Sequence, residues 1–151
     1  INSSIIKNSN NSTNSTNVST SANSNVKAVQ SWLNANYKSG LIVDGIFGNL
    51  TKKALVKALQ TELNKQYNAN LVIDGIFGSK TKTAIRNISN GTKGNITKIL
   101  QGLLICNGYS TNGFDGIFGN GTTSAVKSYQ SKYGLTVDGI AGKETFYSLC
   151  K

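Results

Sequence analysis

One short motif occurs four times in this chain of 151 residues, and it constrains the fold more than any other feature. The copies read VDGIFGNLT, IDGIFGSKT, FDGIFGNGT and VDGIAGKET, and their aspartates are Asp44, Asp74, Asp115 and Asp138. Each copy has a glycine directly after the aspartate, another glycine at Asp+4 and a threonine at Asp+7. Glycine adopts positive φ without steric cost and aspartate accepts backbone hydrogen bonds, so each copy predicts a tight structural turn.

Around the turns the pattern predicts helices. A glutamine precedes every turn, and apolar residues surround it at the i, i+3, i+7 spacing of an amphipathic helix, such as Val126, Tyr129 and Tyr133. We expect the aromatic residue at Asp+3 to pack in the core, and Asn49, Ser79 or Asn120 to cap the following helix. The predicted turn residues are Asp44, Gly45, Phe47, Asp74, Gly75, Phe77, Asp115, Gly116, Phe118, Asp138 and Gly139.

The first 25 residues differ in composition from the rest, because 19 of them are Asn, Ser or Thr. Such a segment cannot bury enough apolar surface to fold, so residues 1–25 are predicted to be a disordered linker. The repeats after it group into two modules of three helices, residues 26–90 and 91–151. The sequence therefore predicts an all-α protein: two tandem three-helix bundles with Asp-Gly turns behind a linker. A linker at this place also predicts a further domain before it.

The complete module pattern is V-x-x-L-Q-x-x-L followed by D-G-x-F-G-x-x-T-x-x-A, and it resembles the peptidoglycan-binding domain type 1 family. The segments that carry the resemblance are VKAVQSWLN, VDGIFGNLTKKA, VKALQTELN, IDGIFGSKTKTA, ITKILQGLL, FDGIFGNGTTSAV and VDGIAGKETFYSL. The chain departs from the usual family pattern where Asn or Ser replaces the Pro after F-G.

The resemblance implies a function outside the cell. It implies a non-catalytic region that anchors a wall-cleaving enzyme, such as an endolysin, amidase or muramidase, to the peptidoglycan of a Gram-positive wall. The tandem arrangement is similar to the C-terminal part of clostridial lysins, so the catalytic domain would precede this chain. The protein would be secreted, or phage-encoded and released at lysis.

The residues argue against an active site in this chain. Four of the six acidic side chains are the turn aspartates, which leaves Glu62 and Glu144 for the two carboxylates that glycan hydrolysis commonly uses. His is absent, which excludes the common zinc, Ser-His and Cys-His sites. We expect no catalytic residue, no metal and no cofactor. Cys106 and Cys150 are interpreted as buried thiols, although a disulfide between them is left open.

Charge and hydropathy limit the partners. Lys and Arg number 16 against 6 Asp and Glu, and the net charge of +10 favours an anionic partner such as the cell wall. No run approaches the ~18 apolar residues that a membrane span needs. Two alternatives stay open: a regulatory module that docks on its own catalytic domain, and a basic nucleic-acid-binding helical domain. The scattered lysines argue against the second alternative.

Candidate ligand-binding residues are those near the loops and off the core stripe. Sugars stack on exposed aromatic rings, and an arginine pairs with carboxylates, which favours Trp32, Tyr37, Tyr67, Arg86 and Tyr109. Alternatively, the tyrosines cover the open ends of the bundles and Arg86 is a simple surface residue.

Overall fold

The computed structural model describes residues 23–151, which contain six α-helices and no β-strand. The helices are α1 (Ser24–Tyr37), α2 (Asn49–Tyr67), α3 (Ser79–Ala84), α4 (Asn95–Cys106), α5 (Asn120–Lys132) and α6 (Lys143–Cys150). The all-α prediction is confirmed; α2 and α3 lie within residues 26–90 and α4 to α6 within residues 91–151, while α1 starts two residues before the first predicted module. Residues 1–22 of the predicted linker lie outside the described residues.

The chain divides into two compact units, one ending at Gly48 and the other running from Asn49 to Lys151. In the first unit, the Asn23 side chain accepts hydrogen bonds from the first-turn N–H groups of α1, so this helix begins before the predicted module boundary at residue 26. The Asn23 N–H donates to the Gly45 carbonyl at 3.2 Å, which fixes the helix start against the Asp-Gly turn. The predicted boundary at residues 90–91 falls inside the second unit, and the division into two modules remains a prediction.

The core of the second unit forms around α4, which contacts α2, α5 and α6. Its apolar residues face these neighbours at helical spacing, and burying one such side chain stabilises a fold by about 1.5–3 kcal/mol. Large side chains that are fully buried in this unit are Leu55, Leu59, Leu63, Ile99, Leu100, Leu103, Leu104, Phe118 and Phe146. This core holds the end of α2 and the short helix α3 in place, and the candidate site described below lies there.

The segment between α3 and α4, residues 85–94, is fixed by backbone hydrogen bonds within the second unit. Ile88 and Ala141 exchange two of them, at 3.1 and 2.9 Å. Farther along, the Phe118 N–H donates to the Thr92 carbonyl at 2.9 Å. These bonds hold the connection against the two turns of the predicted second module. The residues that follow α3 therefore have fixed positions.

The helix starts differ from the capping prediction. Gly78 and Gly119 are the N-cap residues of α3 and α5, and no side chain caps either helix. Ser79 and Asn120 are instead the first helical residues, so the prediction that they act as caps is wrong. The reason is that the glycine at Asp+4 has an extended backbone, so the helix begins directly after it.

The prediction for the end of α5 is also wrong in one residue. The helical spacing predicts Tyr133 on the core stripe, but this residue is 51% exposed. The helix ends at Lys132 and Tyr133 is its C-cap, so the residue has left the helical register that buries Tyr129. The apolar stripe therefore stops one turn earlier than its spacing predicts.

Candidate functional site

Each Asp-Gly turn is closed by the buried side chain of its glutamine. In the second copy, the Gln60 Nε2 donates to the Asp74 carboxylate at 3.0 Å and to the Ile76 carbonyl at 3.0 Å. The same nitrogen lies 3.1 Å from the Thr81 hydroxyl. The Gln60 Oε1 accepts from the N–H groups of Asp74 and Gly75 at 3.1 and 2.9 Å. The amide is fully bonded within the fold, as buried polar groups are in stable proteins.

The same arrangement recurs in the other three copies. The equivalent Nε2–Oδ1 distances are 3.0 Å for Gln30 and Asp44, 3.2 Å for Gln101 and Asp115, and 3.0 Å for Gln130 and Asp138. Hydrogen bonds lower the pKa of Asp74, and the backbone N–H of Ile76 contributes more than the Gln60 amide. The pKa values of Asp44 and Asp115 are also lowered by hydrogen bonds, and all four turn carboxylates are engaged within their own turns.

The aromatic residues at Asp+3 differ in burial. Phe118 is 1% exposed, because the segment before α4 crosses it and the Gly91 N–H donates to its carbonyl at 2.8 Å. Phe47 and Phe77 are half-buried, and the Phe77 ring lies 5.9 Å from the ring of Tyr147. Full core packing of the turn aromatic is thus found at Phe118, where another segment covers the turn.

The two remaining acidic side chains have separate structural partners. Glu62 is buried on α2, where its two oxygens accept from the side-chain amides of Gln66 and Asn95 at 2.9 and 3.1 Å. Glu144 on α6 forms an ion pair with Lys82 at 3.0 Å. Over residues 23–151, no group of three or more His, Cys, Asp and Glu is placed to hold a metal ion. None of the described helices is long and apolar enough to cross a membrane.

Two predicted ligand-binding residues, Tyr67 and Arg86, lie together where α2 ends and α3 is followed by the connecting segment. The Arg86 guanidinium carbon is 4.1 Å from the centre of the Tyr67 ring, which is a cation–π contact. Tyr67 is half-buried and Arg86 is exposed. Both line a cavity of about 580 Å³. The other lining residues are apolar at Ala69, Leu71, Ala84 and Ile85, and polar at Ser79, Lys80 and Thr83.

The cavity is cationic. Lys80 and Arg86 line it, and no Asp or Glu does. Within residues 23–151, the ion pair joins Lys82 to Glu144. No carboxylate of these residues forms an ion pair with Lys80 or Arg86. Two positive charges without a matching negative charge attract an anionic group. The cavity is thus suited to a ligand that carries one.

The loop that forms one wall of the cavity, residues 68–71, is held by the side chain of Asn64. Its Nδ2 donates to the Leu71 carbonyl at 3.0 Å, and its Oδ1 accepts from the Leu71 N–H at 2.7 Å. Asn68 and Asn70 have φ values of 53° and 58°, in the left-handed region that asparagine tolerates better than most residues. The wall therefore has a defined shape before any ligand arrives.

The third predicted tyrosine, Tyr109, has different surroundings. Its ring lies 5.4 Å from the buried Tyr129 in a T-shaped contact, and Tyr129 lies 4.5 Å from Tyr133. The Tyr129 hydroxyl is 2.7 Å from the Ser148 hydroxyl. Burial raises the pKa of Tyr129, so its phenol stays protonated. At this end of the second unit three tyrosines pack on one another.

The two remaining candidates, Trp32 and Tyr37, form a pair in the first unit. Their ring centres are 5.3 Å apart at 74°, and both side chains are half-buried. The preferred edge-to-face geometry of this pair stabilises the end of α1. The structure thus brings Trp32 to Tyr37 and Tyr67 to Arg86, while Tyr109 lies within the tyrosine cluster.

Sequence reasoning missed several residues of the cavity. The sequence does not indicate Lys80, Ser79 and Thr83, because a lysine or hydroxyl residue on a helix carries no distinctive signal. The asparagine that holds the loop did have a signal. Asn34 and Asn64 both lie four residues after their glutamines, and Asn34 bonds to the Leu41 backbone at 2.8 and 2.7 Å in the same way.

Comparison with known proteins identifies a family for the repeated part of the chain. Residues 54–88 and 93–149 match the family model described as "Putative peptidoglycan binding domain". The N-terminal domain of SleB, a solved crystal structure, is 42% identical over 42% of this chain and 88% of its own, with a TM-score of 0.41. No curated protein sequence matches significantly. Because the family model matches more than half of the chain, and three of the four Asp-Gly turns lie within the matched residues, the chain belongs to the peptidoglycan-binding domain family.

Proposed function

We propose that this chain is a non-catalytic region that binds peptidoglycan and holds a wall-cleaving enzyme against its substrate. Membership of the family supports peptidoglycan as the ligand. The observation that carries the proposal is the cavity of about 580 Å³ at Tyr67 and Arg86, which has the size and mixed lining of a small-ligand site. The turn carboxylates and Glu62 are engaged in the fold, which supports a binding role.

The rest of the chain fits a wall-bound role outside the cell. Residues 1–25 would serve as a tether to a catalytic domain, such as an endolysin, amidase or muramidase domain, that precedes them. The net charge of +10 would add a nonspecific attraction to the anionic wall of a Gram-positive bacterium. The two predicted modules, residues 26–90 and 91–151, would act as one anchor, and we assign ligand binding to the Tyr67 end of the first of them.

The first test measures retention of the full chain on purified peptidoglycan sacculi that have been stripped of teichoic acid, at low and at high salt. We expect retention at both salt concentrations, because hydrogen bonds and apolar contacts at a single site are weakened by salt much less than the many ionic contacts of a polyanion. Retention that disappears at high salt would indicate nonspecific attraction, and no retention at either salt would contradict the proposal.

Two variants locate the site. Tyr67→Ala and Arg86→Ala should each lower the affinity for sacculi, with little loss of stability because neither side chain lies in the core. The control is Lys132→Gln, which removes one charge from an exposed position that does not line the cavity. If the control weakens retention as much as Arg86→Ala, total charge determines binding and the cavity is not the site.

A further inference from the structure

We propose that the cavity at Tyr67 and Arg86 recognises the free α-carboxylate of a wall peptide that ends in a small apolar residue, rather than a sugar ring. This inference rests on the proposed function, since it names the part of peptidoglycan that the site takes. Peptidoglycan offers two chemically different surfaces, its sugar rings and its peptides. The lining of the cavity favours the peptide.

The contact between Arg86 and Tyr67 determines what each side chain offers to a ligand. With the guanidinium carbon 4.1 Å from the ring centre, one face of the Tyr67 ring is already covered by a cation. A sugar would have to displace that cation or use the other face of a half-buried ring. The stacked guanidinium still presents its N–H edge, and two parallel N–H groups match the two oxygens of a carboxylate.

The charges around Arg86 favour the same ligand. Lys80 adds a second positive charge to the cavity, and none of the six acidic residues lines it. Neutral sugar hydroxyl and acetamido groups would gain little from two cations, whereas a carboxylate gains from both. A peptide whose C-terminal carboxylate is converted to a neutral amide would lose that gain. The site is therefore expected to discriminate between a free acid and its amide.

The apolar part of the lining limits the side chain next to the carboxylate. Ala69, Leu71 and Ala84 present short or branched aliphatic groups, and the Ser79 and Thr83 hydroxyls can bond to a peptide group. The Asn64 side chain holds the loop of Ala69 and Leu71 in place, so the wall does not need to form on binding. A methyl group beside the carboxylate, as in a terminal alanine, matches this lining.

The test measures binding of the full chain to three forms of one synthetic peptide, L-Ala-γ-D-Glu-L-Lys-D-Ala-D-Ala, by titration calorimetry. The first form has both carboxylates free, the second has a C-terminal amide, and the third has an amide in place of the glutamate α-carboxylate. We expect the C-terminal amide to lower the affinity by about tenfold or more, and the glutamate amide to leave it unchanged. Equal affinity for the first two forms, or a loss confined to the third, would overturn the proposal.

Variants then place the recognition at Arg86. Arg86→Gln should remove the preference for the free acid, and Arg86→Lys should retain part of it, because a lysine keeps the charge but loses the planar two-point contact. Lys132→Gln should keep the full preference. If Arg86→Gln still discriminates between acid and amide, the carboxylate binds elsewhere and the proposal is wrong.

The retention of the wild-type chain on sacculi separates this inference from the function on which it rests. Retention without any preference between the peptide acid and amide would overturn the carboxylate proposal and leave wall binding intact. No retention on sacculi would remove the proposed function itself. Retention together with a preference that Arg86→Gln abolishes is the result that we expect.

Discussion

Tyrosines at nearly the same repeat position lie at the end of α2 and three residues after the end of α4, and their surroundings differ. Tyr67 lies seven residues after Gln60, and Tyr109 lies eight residues after Gln101. Tyr67 contacts a cation and borders a cavity, whereas Tyr109 contacts a buried tyrosine. A repeat position therefore does not determine a role. Whether the tyrosine packs against other rings or lines a cavity depends on the residues of the helix that lies next to it.

The neighbours of the two tyrosines explain the difference. Near Tyr67, α3 has only six residues, and Arg86 and Lys80 on or after it bring charges to the cavity. Near Tyr109, the longer α5 brings Tyr129 and Tyr133, whose rings occupy the space with apolar surface. Aromatic rings that pack on one another stabilise a fold, whereas uncompensated cations and open volume contribute little to stability. We therefore interpret the Tyr67 end as the binding end and the Tyr109 end as a structural end.

The largest effect is expected from Tyr129→Ala, which removes the centre of the tyrosine cluster. Deleting a buried aromatic ring creates a cavity and should lower the free energy of unfolding by about 3–5 kcal/mol. Tyr129→Phe should cost only about 0.5–1.5 kcal/mol, because it loses just the hydrogen bond to Ser148. Urea denaturation measures both values. If Tyr129→Ala left stability unchanged but abolished retention on sacculi, the cluster would be a binding site and the comparison would fail.

A smaller effect is expected from Asn64→Ala, which releases the loop wall of the cavity. The two hydrogen bonds to Leu71 are lost, so the free energy of unfolding should fall by about 1–3 kcal/mol and binding to sacculi should weaken. The matched control is Asn34→Ala, which removes the same two bonds to Leu41 in the first unit, where the cavity does not lie. If both variants weaken binding equally after correction for stability, the cavity wall is not specific to binding.

The sequence predicted the helices and turns of the repeat, but not the helix caps or the burial of every turn aromatic. The all-α class follows from the helical spacing. A glutamine precedes every Asp-Gly pair, by 14 residues in three copies and by 8 in the fourth, but its burial and its bonds to the turn are visible only in the structure. The hydrogen bond between Gln60 and Asp74 joins residues that are 14 apart in the chain. It forms within one repeat, because a single helix and the loop after it bring the two side chains together. A pattern that recurs four times at the same spacing is strong evidence for the same turn in each copy. Features that depend on a single copy do not have this support.

The cavity could be predicted only in part, because it depends on residues that do not recur. The sequence indicates Tyr67 and Arg86 as separate candidates, but no periodicity indicates that a side chain after α3 stacks on a ring at the end of α2. Lys80 is one of many lysines in the sequence. Only the structure shows that it lines a cavity that has no Asp or Glu in its lining. The burial of Phe118 has a similar origin, since it depends on the segment before α4 that crosses it.

A third prediction compares the two tyrosines directly. Tyr67→Ala should weaken binding to sacculi by about threefold to tenfold, because stacking contacts contribute about 0.5–1.5 kcal/mol and Arg86 loses the ring that orients it. Tyr109→Ala should leave binding unchanged and instead lower the urea midpoint, since it removes an edge-to-face contact with Tyr129. Retention on sacculi and urea denaturation are measured on the same samples. If Tyr109→Ala weakened binding and Tyr67→Ala lowered only the urea midpoint, the Tyr109 end would be the binding end.

The smallest effect is expected from pH between 5 and 8, where neither end should respond. The chain has no His, and burial raises the pKa of Cys106 and of Cys150 to about 12. The carboxylates with lowered pKa, such as Asp74 and Asp115, contribute stability above their unfolded pKa of about 4. That contribution is lost as the pH falls through the lower folded-state pKa.

The free energy of unfolding should therefore stay constant from pH 8 to 5 and decline below about pH 4. The decline should affect the Tyr67 end and the Tyr109 end together, because Asp74 lies near the first and Asp115 near the second. Binding should follow the same course, since a peptide α-carboxylate has a pKa of about 3.5 and loses its charge below that pH. Urea midpoints and sacculus retention at unit steps of pH from 3 to 8 measure this. A transition near pH 6 in binding alone would reveal a titrating group in the cavity that the lining residues do not supply, and the Tyr67 end would then need a different ligand chemistry.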